Sequence, residues 1–153
     1  MNMKEIRIAP IKNGTVIDHI RTGKALKVLE LLGITGEERM ALSVAMYAHS
    51  NKAGTKDIVK IEEKELRPEE VNKLAILTPN ATISIIRDSQ VIKKFKVSPP
   101  DILEGIVRCE NLNCITNQKE PVQSKLLRVP CDGMVFKCFY CGRLQKEVEK
   151  NLI

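Results

Sequence analysis

Four cysteines near the end of the chain limit its fold more than any other feature. Cys109 and Cys114 enclose Glu110-Asn111-Leu112-Asn113, and Cys138 and Cys141 enclose Phe139-Tyr140. Two short-spaced pairs about two dozen residues apart suit a tetrahedral ion, because each pair supplies two corners and the chain between them returns to close the site. Zinc is the expected metal, one ion per chain. Four thiolates fill its shell and leave no position for water or substrate, so the predicted role is structural. Reduced, buried thiols or two disulfides are the alternatives. Cys131, in Pro130-Cys131-Asp132-Gly133, stands outside both pairs and reads as a spare thiol.

The 153 residues are 43% hydrophobic, enough for packed cores and too much for wholesale disorder. No apolar run approaches the ~18 residues a membrane helix needs. The first ten residues alternate charge with isoleucine where a signal peptide carries an unbroken apolar region. A cytoplasmic location is therefore expected, where reducing conditions favour metal-bound thiolates.

The consecutive prolines in Ser98-Pro99-Pro100 cannot join a ladder or enter a helix interior, so a domain boundary is predicted there, giving units of residues 1–98 and 99–153. The second has few large apolar side chains and depends on its metal for stability. Strand-like stretches at 103–108, 125–129, 134–137 and 143–148 make it a small all-β zinc domain.

In the first unit, residues 4–20 read as extended chain, with Ile6, Ile8 and Ile11 spaced through polar residues and a turn at Gly14 before Thr15-Val16-Ile17. Thr22 is placed to cap a short helix with Ala25, Leu29 and Leu32 on its apolar side, closed by Gly33. Residues 39–50 and 57–62 form a hairpin. Pro68 starts a second helix, with Glu69 and Glu70 at its positive end. Residues 81–87 and 90–97 are two further strands joined at Asp88-Ser89. Strand, helix, strand, strand, helix, strand with one extra arm is the split βαβ, ferredoxin-like α+β pattern, an antiparallel sheet with both helices on one face.

Alternation sets Val59 and Ile61 against Ile58, Lys60 and Glu62, and Val91, Phe95 and Val97 against Ile92, Lys94 and Lys96. If the more apolar faces meet the helices, Lys60 and Lys94 project from the open side. With Lys56 and His19 nearby they could receive a polyphosphate through charge-assisted hydrogen bonds. A solvated strand face is an equally good reading of these lysines. Asp18 and His19 end a strand, a usual place for ligand contacts, yet residue type alone favours a turn former and a hydrogen-bonded strand histidine. No glycine-rich phosphate loop accompanies them.

The run Gly14-Thr15-Val16-Ile17-Asp18-His19-Ile20, then Lys56-Asp57-Ile58-Val59-Lys60-Ile61-Glu62, then Cys109 with four residues to Cys114 in Asn113-Cys114-Ile115, resembles the regulatory chains of aspartate carbamoyltransferase. The resemblance covers nearly the whole chain and preserves the order of its segments. It implies a non-catalytic allosteric chain acting in pyrimidine biosynthesis. Its first domain would bind nucleoside triphosphates, ATP and CTP competing for one site and UTP acting alongside CTP. Its zinc domain would dock on the separate catalytic chain, in an assembly of two catalytic trimers bridged by three regulatory homodimers.

Carried over by position, the resemblance assigns Asp18 to the ribose hydroxyls and Lys60 to the ribose and base region. His19 and Lys94 would meet the phosphates, with Lys56 as a further phosphate contact. Val16 and Val91 would line the pocket, and main-chain groups near Ile8, Ala9 and Ile11 would read the base edge. Cys109, Cys114, Cys138 and Cys141 match the zinc ligands, and Asn111 and Asn113 fall where the family meets its catalytic partner. Two departures stand out: Ala9 replaces an acidic side chain usual in the base-reading strand, and Ser89 replaces an aromatic at the rim.

The formal charge of +6 and a pI near 9.1 favour a rival, a zinc-ribbon nucleic-acid binder. Four thiolates and one divalent ion lower that charge by two, and aromatics make up only 3% of the chain, leaving the predicted strands of residues 15–20 and 57–62 without a base-stacking platform. No nucleic-acid partner is expected, and no membrane. An enzyme using zinc or a cysteine nucleophile is weaker still: the quartet closes the metal, and His19 and His49 lie in the other unit without a paired base.

Overall fold

The computed structural model describes residues 11–51 and 54–153. They fall into two compact units divided between Ser98 and Pro99.

The first unit runs β1 (Gly14–Ile20), α1 (Ala25–Leu31), β2 (Leu42–Ser50), β3 (Gly54–Glu62), α2 (Pro68–Leu77), β4 (Thr82–Arg87) and β5 (Gln90–Lys96). The strands pair in the order β2-β3-β1-β4-β5, all antiparallel. This is the ferredoxin-like arrangement, with β1 set between β3 and β4 and β5 added at an edge. The expected extended chain before Gly14 lies largely outside the described residues.

Strand alternation divides the sheet into a dry face and an open one. Thr15, Ile17, Val59, Ile61 and Ile83 are buried, and the helices cover them with Ala25, Val28, Leu74 and Ala75. Between them the chain carries Val16, Lys60 and Ser84, half-buried on the opposite face. Gly14 is required where β1 meets β3: its φ is +149°, and a Cβ added there would collide with the carbonyl oxygen of Ile61.

α2 starts at Pro68 as expected, and Glu70 closes its first turn by accepting from the Arg67 N–H at 3.0 Å. The start of α1 differs from expectation. Thr22 does not cap it; the Thr22 hydroxyl meets that of Thr55 at 2.9 Å. The cap comes from across the sheet instead. Asp57 of β3, fully buried, accepts from the N–H groups of Gly23 and Ala25 at 2.9 and 3.0 Å through Oδ2, and from that of Tyr47 at 3.0 Å through Oδ1.

Tyr47 can donate to it because β2 carries an extra residue between Ala45 and Ala48, with Tyr47 at φ 58°. One carboxylate thus ties a helix start, a β-bulge and the middle of the sheet together. Asp57→Ala strands three amides and is expected to destabilise this unit by about 3 kcal/mol, measured by denaturant unfolding. A loss under about 1 kcal/mol would mean that water serves those amides equally well.

The second unit is a four-stranded sheet, β6 (Ile102–Glu104), β7 (Lys125–Arg128), β8 (Phe136–Cys138) and β9 (Leu144–Gln145), paired in sequence order. The strands are shorter than the stretches expected. The first ends at Gly105, whose φ of +68° turns the chain, so Val107 bridges Leu152 outside the sheet. Leu103, Val107, Leu126 and Phe136 are fully buried. Around them little other apolar volume is enclosed, as the composition predicted.

Among the described residues no helix is long and apolar enough to cross a membrane.

Candidate functional site

Two sets of side chains carry chemistry, one in each unit. On the open face of the first sheet, Val16 pairs with Lys60 of β3 and Ser84 of β4, and Ser84 pairs with Lys94 of β5. Paired residues of adjacent strands share a face, so Lys60, Val16, Ser84 and Lys94 form one row across four strands. In the next row, Gly14 pairs with Ile86, and Ile86 with Val91.

That second pairing corrects the sequence reading of β5. An extra residue at the Ile85/Ile86 step sets Ile85 opposite Lys93 and Ile86 opposite Val91. Val91 therefore joins Lys94 on the open face instead of opposing it. Phe95 pairs with Ile83 on the helix side, which leaves this part of the open face without a stacking ring.

β1 also carries an extra residue, between Ile17 and Ile20, and His19 adopts φ 57° there. The bulge turns Asp18 toward Lys56, whose Nζ lies 3.0 Å from Oδ1 and 3.2 Å from Oδ2. The His19 N–H donates to Asp18 Oδ1 at 2.6 Å. Burial alone would raise the Asp18 carboxyl, but the Lys56 ammonium and the His19 N–H hold it below its ordinary value, as a carboxylate. His19 Nδ1 stands 3.9 Å from Asp18 Oδ2, beyond hydrogen-bond reach, and this buried nitrogen has no hydrogen-bond partner among the described residues. A cleft of about 230 Å³ opens here, bounded by His19, Arg21, Thr22, Thr55 and Lys56 among others. Asp18, His19, Lys56 and a recess thus sit beside the lysine row, further along β1 and β3.

Of the residues the sequence singled out, Val16, Lys60, Val91 and Lys94 lie on this face, and Asp18, His19 and Lys56 converge beside the cleft. Ile11 is buried. Ile8 and Ala9 lie outside the described residues. Ser84 and Ile86 were missed: neither is charged, and only the register shows that they complete the rows.

In the second unit, Cys109, Cys114, Cys138 and Cys141 bring their sulfurs within 4.8 Å of one another. None of the four is in a disulfide, and Cys131 is exposed and outside the cluster. Cys109 and Cys141 are 3.6 Å apart, Cys114 and Cys138 3.7 Å. A tetrahedron with metal–sulfur bonds of about 2.3 Å has edges of about 3.8 Å, so these spacings fit four-coordination of a soft divalent ion.

The electrostatics of the quartet agree. Burial pushes the Cys109 thiol up to about 12 and raises Cys138 as well. Cys141, exposed, goes the other way: burial opposes its ionisation, but the Arg143 N–H and the Asn111 side chain bring it down to about 7. Thiols this close do not ionise together unaided, and a bound cation supplies the missing charge.

The first knuckle is braced from within. Asn117 Nδ2 donates to the carbonyls of Cys109 and Asn111 at 2.8 and 2.7 Å. Asn111 Oδ1 accepts from the Asn113 N–H at 3.0 Å, while Asn113 itself is exposed. Asn117 had no signal in the sequence, since nothing in its residue type marks it as a brace.

Comparison with known proteins gives both sets of residues a family. The model described as aspartate carbamoyltransferase regulatory chain, allosteric domain, matches residues 6–98, and the model of the same chain's metal binding domain matches residues 101–151. The aspartate carbamoyltransferase regulatory chain of Methanothrix thermoacetophila is 49% identical over 140 residues, 92% of this chain and 91% of the relative. That of Pyrobaculum neutrophilum is 52% identical over 141 residues, 92% and 93% of the two chains. That of Methanosarcina barkeri is 47% identical over 153 residues, 98% and 97% of the two. With an allosteric unit and a metal-binding unit matched in the same order along nearly its full length, this chain belongs to the family of aspartate carbamoyltransferase regulatory chains, the non-catalytic subunits of that enzyme.

Proposed function

We propose that the unit of residues 1–98 binds nucleoside triphosphates on its open sheet face, and that the unit of residues 99–153 holds one structural zinc ion and docks on the catalytic chain. ATP and CTP compete for the site, and UTP acts alongside CTP. The observation that carries this reading is the row Lys60, Val16, Ser84 and Lys94 leading to Asp18, Lys56 and His19, within the residues matched by the allosteric-domain model.

The chemistry of each group supports a role. Asp18, held ionised, accepts from the ribose hydroxyls, and Lys60 reaches the ribose and base. Lys94, Lys56 and His19 take the phosphates through charge-assisted hydrogen bonds. Val16 and Val91 line the pocket, and main chain near Ile8, Ala9 and Ile11 reads the base edge. Cys109, Cys114, Cys138 and Cys141 bind the zinc, and Asn111 and Asn113 meet the catalytic chain. In the cytoplasm, three homodimers of this chain bridge two catalytic trimers.

A nucleotide shifts such an assembly only by binding its low-activity and high-activity arrangements unequally. CTP favours the first and ATP the second. A ligand bound equally by both leaves activity unchanged.

Mixing the purified chain with the corresponding catalytic trimer tests the proposal. The expected result is a larger particle by light scattering, with sigmoidal aspartate kinetics that ATP and CTP move in opposite directions. A chain that elutes separately from the trimer, or a complex indifferent to both nucleotides, would overturn it.

A further inference from the structure

Gln145 is fully buried in the second unit, where a polar side chain must have its partners inside the protein. It has three. Its Oε1 accepts from the Glu110 N–H at 2.7 Å, and its Nε2 donates to the Arg143 carbonyl at 2.9 Å and to Cys109 Sγ at 3.4 Å. The first two partners settle which way round the amide stands. A backbone N–H can only donate and a carbonyl can only accept, so oxygen faces Glu110 and nitrogen faces Arg143. The remaining N–H is then aimed at the sulfur, and Cys109 must accept.

Glu110 returns the contact. Its Oε2 accepts from the N–H groups of Lys146 and Glu147 at 2.8 and 2.9 Å. The residue after the first cysteine of one knuckle and the residues after the last cysteine of the other therefore clasp each other in both directions. Gln145 sits at the centre of that clasp with one donor on a metal-site sulfur.

We infer that Gln145 is a positioning residue of the metal centre: it fixes Cys109 as a hydrogen-bonded thiolate and slows loss of the ion. The inference rests on the reading that the four cysteines hold a metal. Donation to a thiolate lowers the energy of the sulfur lone pairs and restrains the side chain, and outer partners of this kind commonly contribute 10- to 100-fold to metal affinity. Thr116 Oγ1, 3.3 Å from Cys114 Sγ, is a comparable donor on a side chain that is only half-buried. Gln145 differs in being wholly enclosed and held by two backbone groups, so no water can replace it.

Cobalt loading of the full chain tests this, because sulfur-to-cobalt charge-transfer absorption reports the electronic state of the sulfurs directly. Gln145→Glu keeps an oxygen for the Glu110 N–H but turns the other toward the sulfur. Gln145→Met fills the space with no donor at all, and serves if the glutamate variant does not fold. Leu103→Val thins the same small core without touching any sulfur.

The expected result for either Gln145 variant is charge-transfer absorption moved to longer wavelength and cobalt release to a chromophoric chelator faster by about 10-fold, with Leu103→Val unmoved in wavelength. Gln145 variants with an unmoved band, or with release within about twofold of the parent chain, overturn the inference. A parent chain that takes up no cobalt overturns the metal reading and this inference together, whereas a parent that binds stoichiometrically confines any failure to Gln145.

Discussion

Stripping the metal from the intact chain is expected to unfold residues 99–153 and leave the sheet of β1 to β5 standing. The second unit buries Leu103, Val107, Leu126, Phe136 and Val148 almost completely, and little else of comparable size. A core of that extent in about fifty residues barely offsets the entropy of ordering the chain. Three of the four cysteines belong to the same buried interior, so they take the place that apolar side chains fill elsewhere. Bound to an ion they cross-link two knuckles far apart in sequence. Without it, burial pushes the Cys109 thiol up to about 12 and raises Cys138 as well, and only weak contacts join the sulfurs in pairs.

Structural zinc sites of this type contribute on the order of 10–16 kcal/mol of folding free energy, more than a unit of this size can hold in reserve. Chelation, or Cys114→Ser, should collapse the backbone resonances of the second unit while those of the first keep their dispersion, and assembly with the catalytic trimer should fail. Retention of native resonances in residues 99–153 after complete metal loss would contradict this.

Lys94→Ala and Lys60→Ala should each weaken CTP and ATP binding by about 10- to 100-fold, the equivalent of one charge-assisted hydrogen bond at about 1.5–3 kcal/mol. Lys94 is exposed on β5, and β5 is held to the sheet by its backbone pairing with β4. Truncating it should leave the melting temperature unchanged and act on binding alone. Its contribution should also fade with added salt, since screening is strongest for exposed charge. Lys60 is half-buried in β3, beside Val16, so its loss should be less sensitive to salt. Calorimetric titration at two ionic strengths separates the two. Unchanged affinity in both variants would move the nucleotide site off this face.

Much of this was readable from residue order. The cysteine spacing demanded a metal knuckle pair because coordination is local chemistry: four sulfurs at those separations have few other uses. The proline pair at 99–100 marked the break between units because proline removes a donor wherever it stands. Alternation in residues 57–62 put Lys60 on the open face, since a regular strand cannot present neighbours on one side.

Where regularity failed, the sequence reading failed with it. Alternation put Val91 on the helix side, against the pocket-lining place the resemblance gave it, because nothing in Gln90-Val91-Ile92-Lys93-Lys94 announces an extra residue; the bulge exists only in the pairing with β4. Asp57 could not be recognised as the cap of α1, because the amides it serves arrive from residues 23, 25 and 47. Gln145 and Asn117 were silent for the same reason.

Composition and spacing alone determined a four-cysteine metal-binding site, two units and a split βαβ sheet, because each follows from short-range stereochemistry and coordination. Only the tertiary structure decided which side chains share the open face and which amides and sulfurs the buried polar groups serve. Those depend on register and burial, and a buried donor finds its acceptor across the fold rather than along the chain.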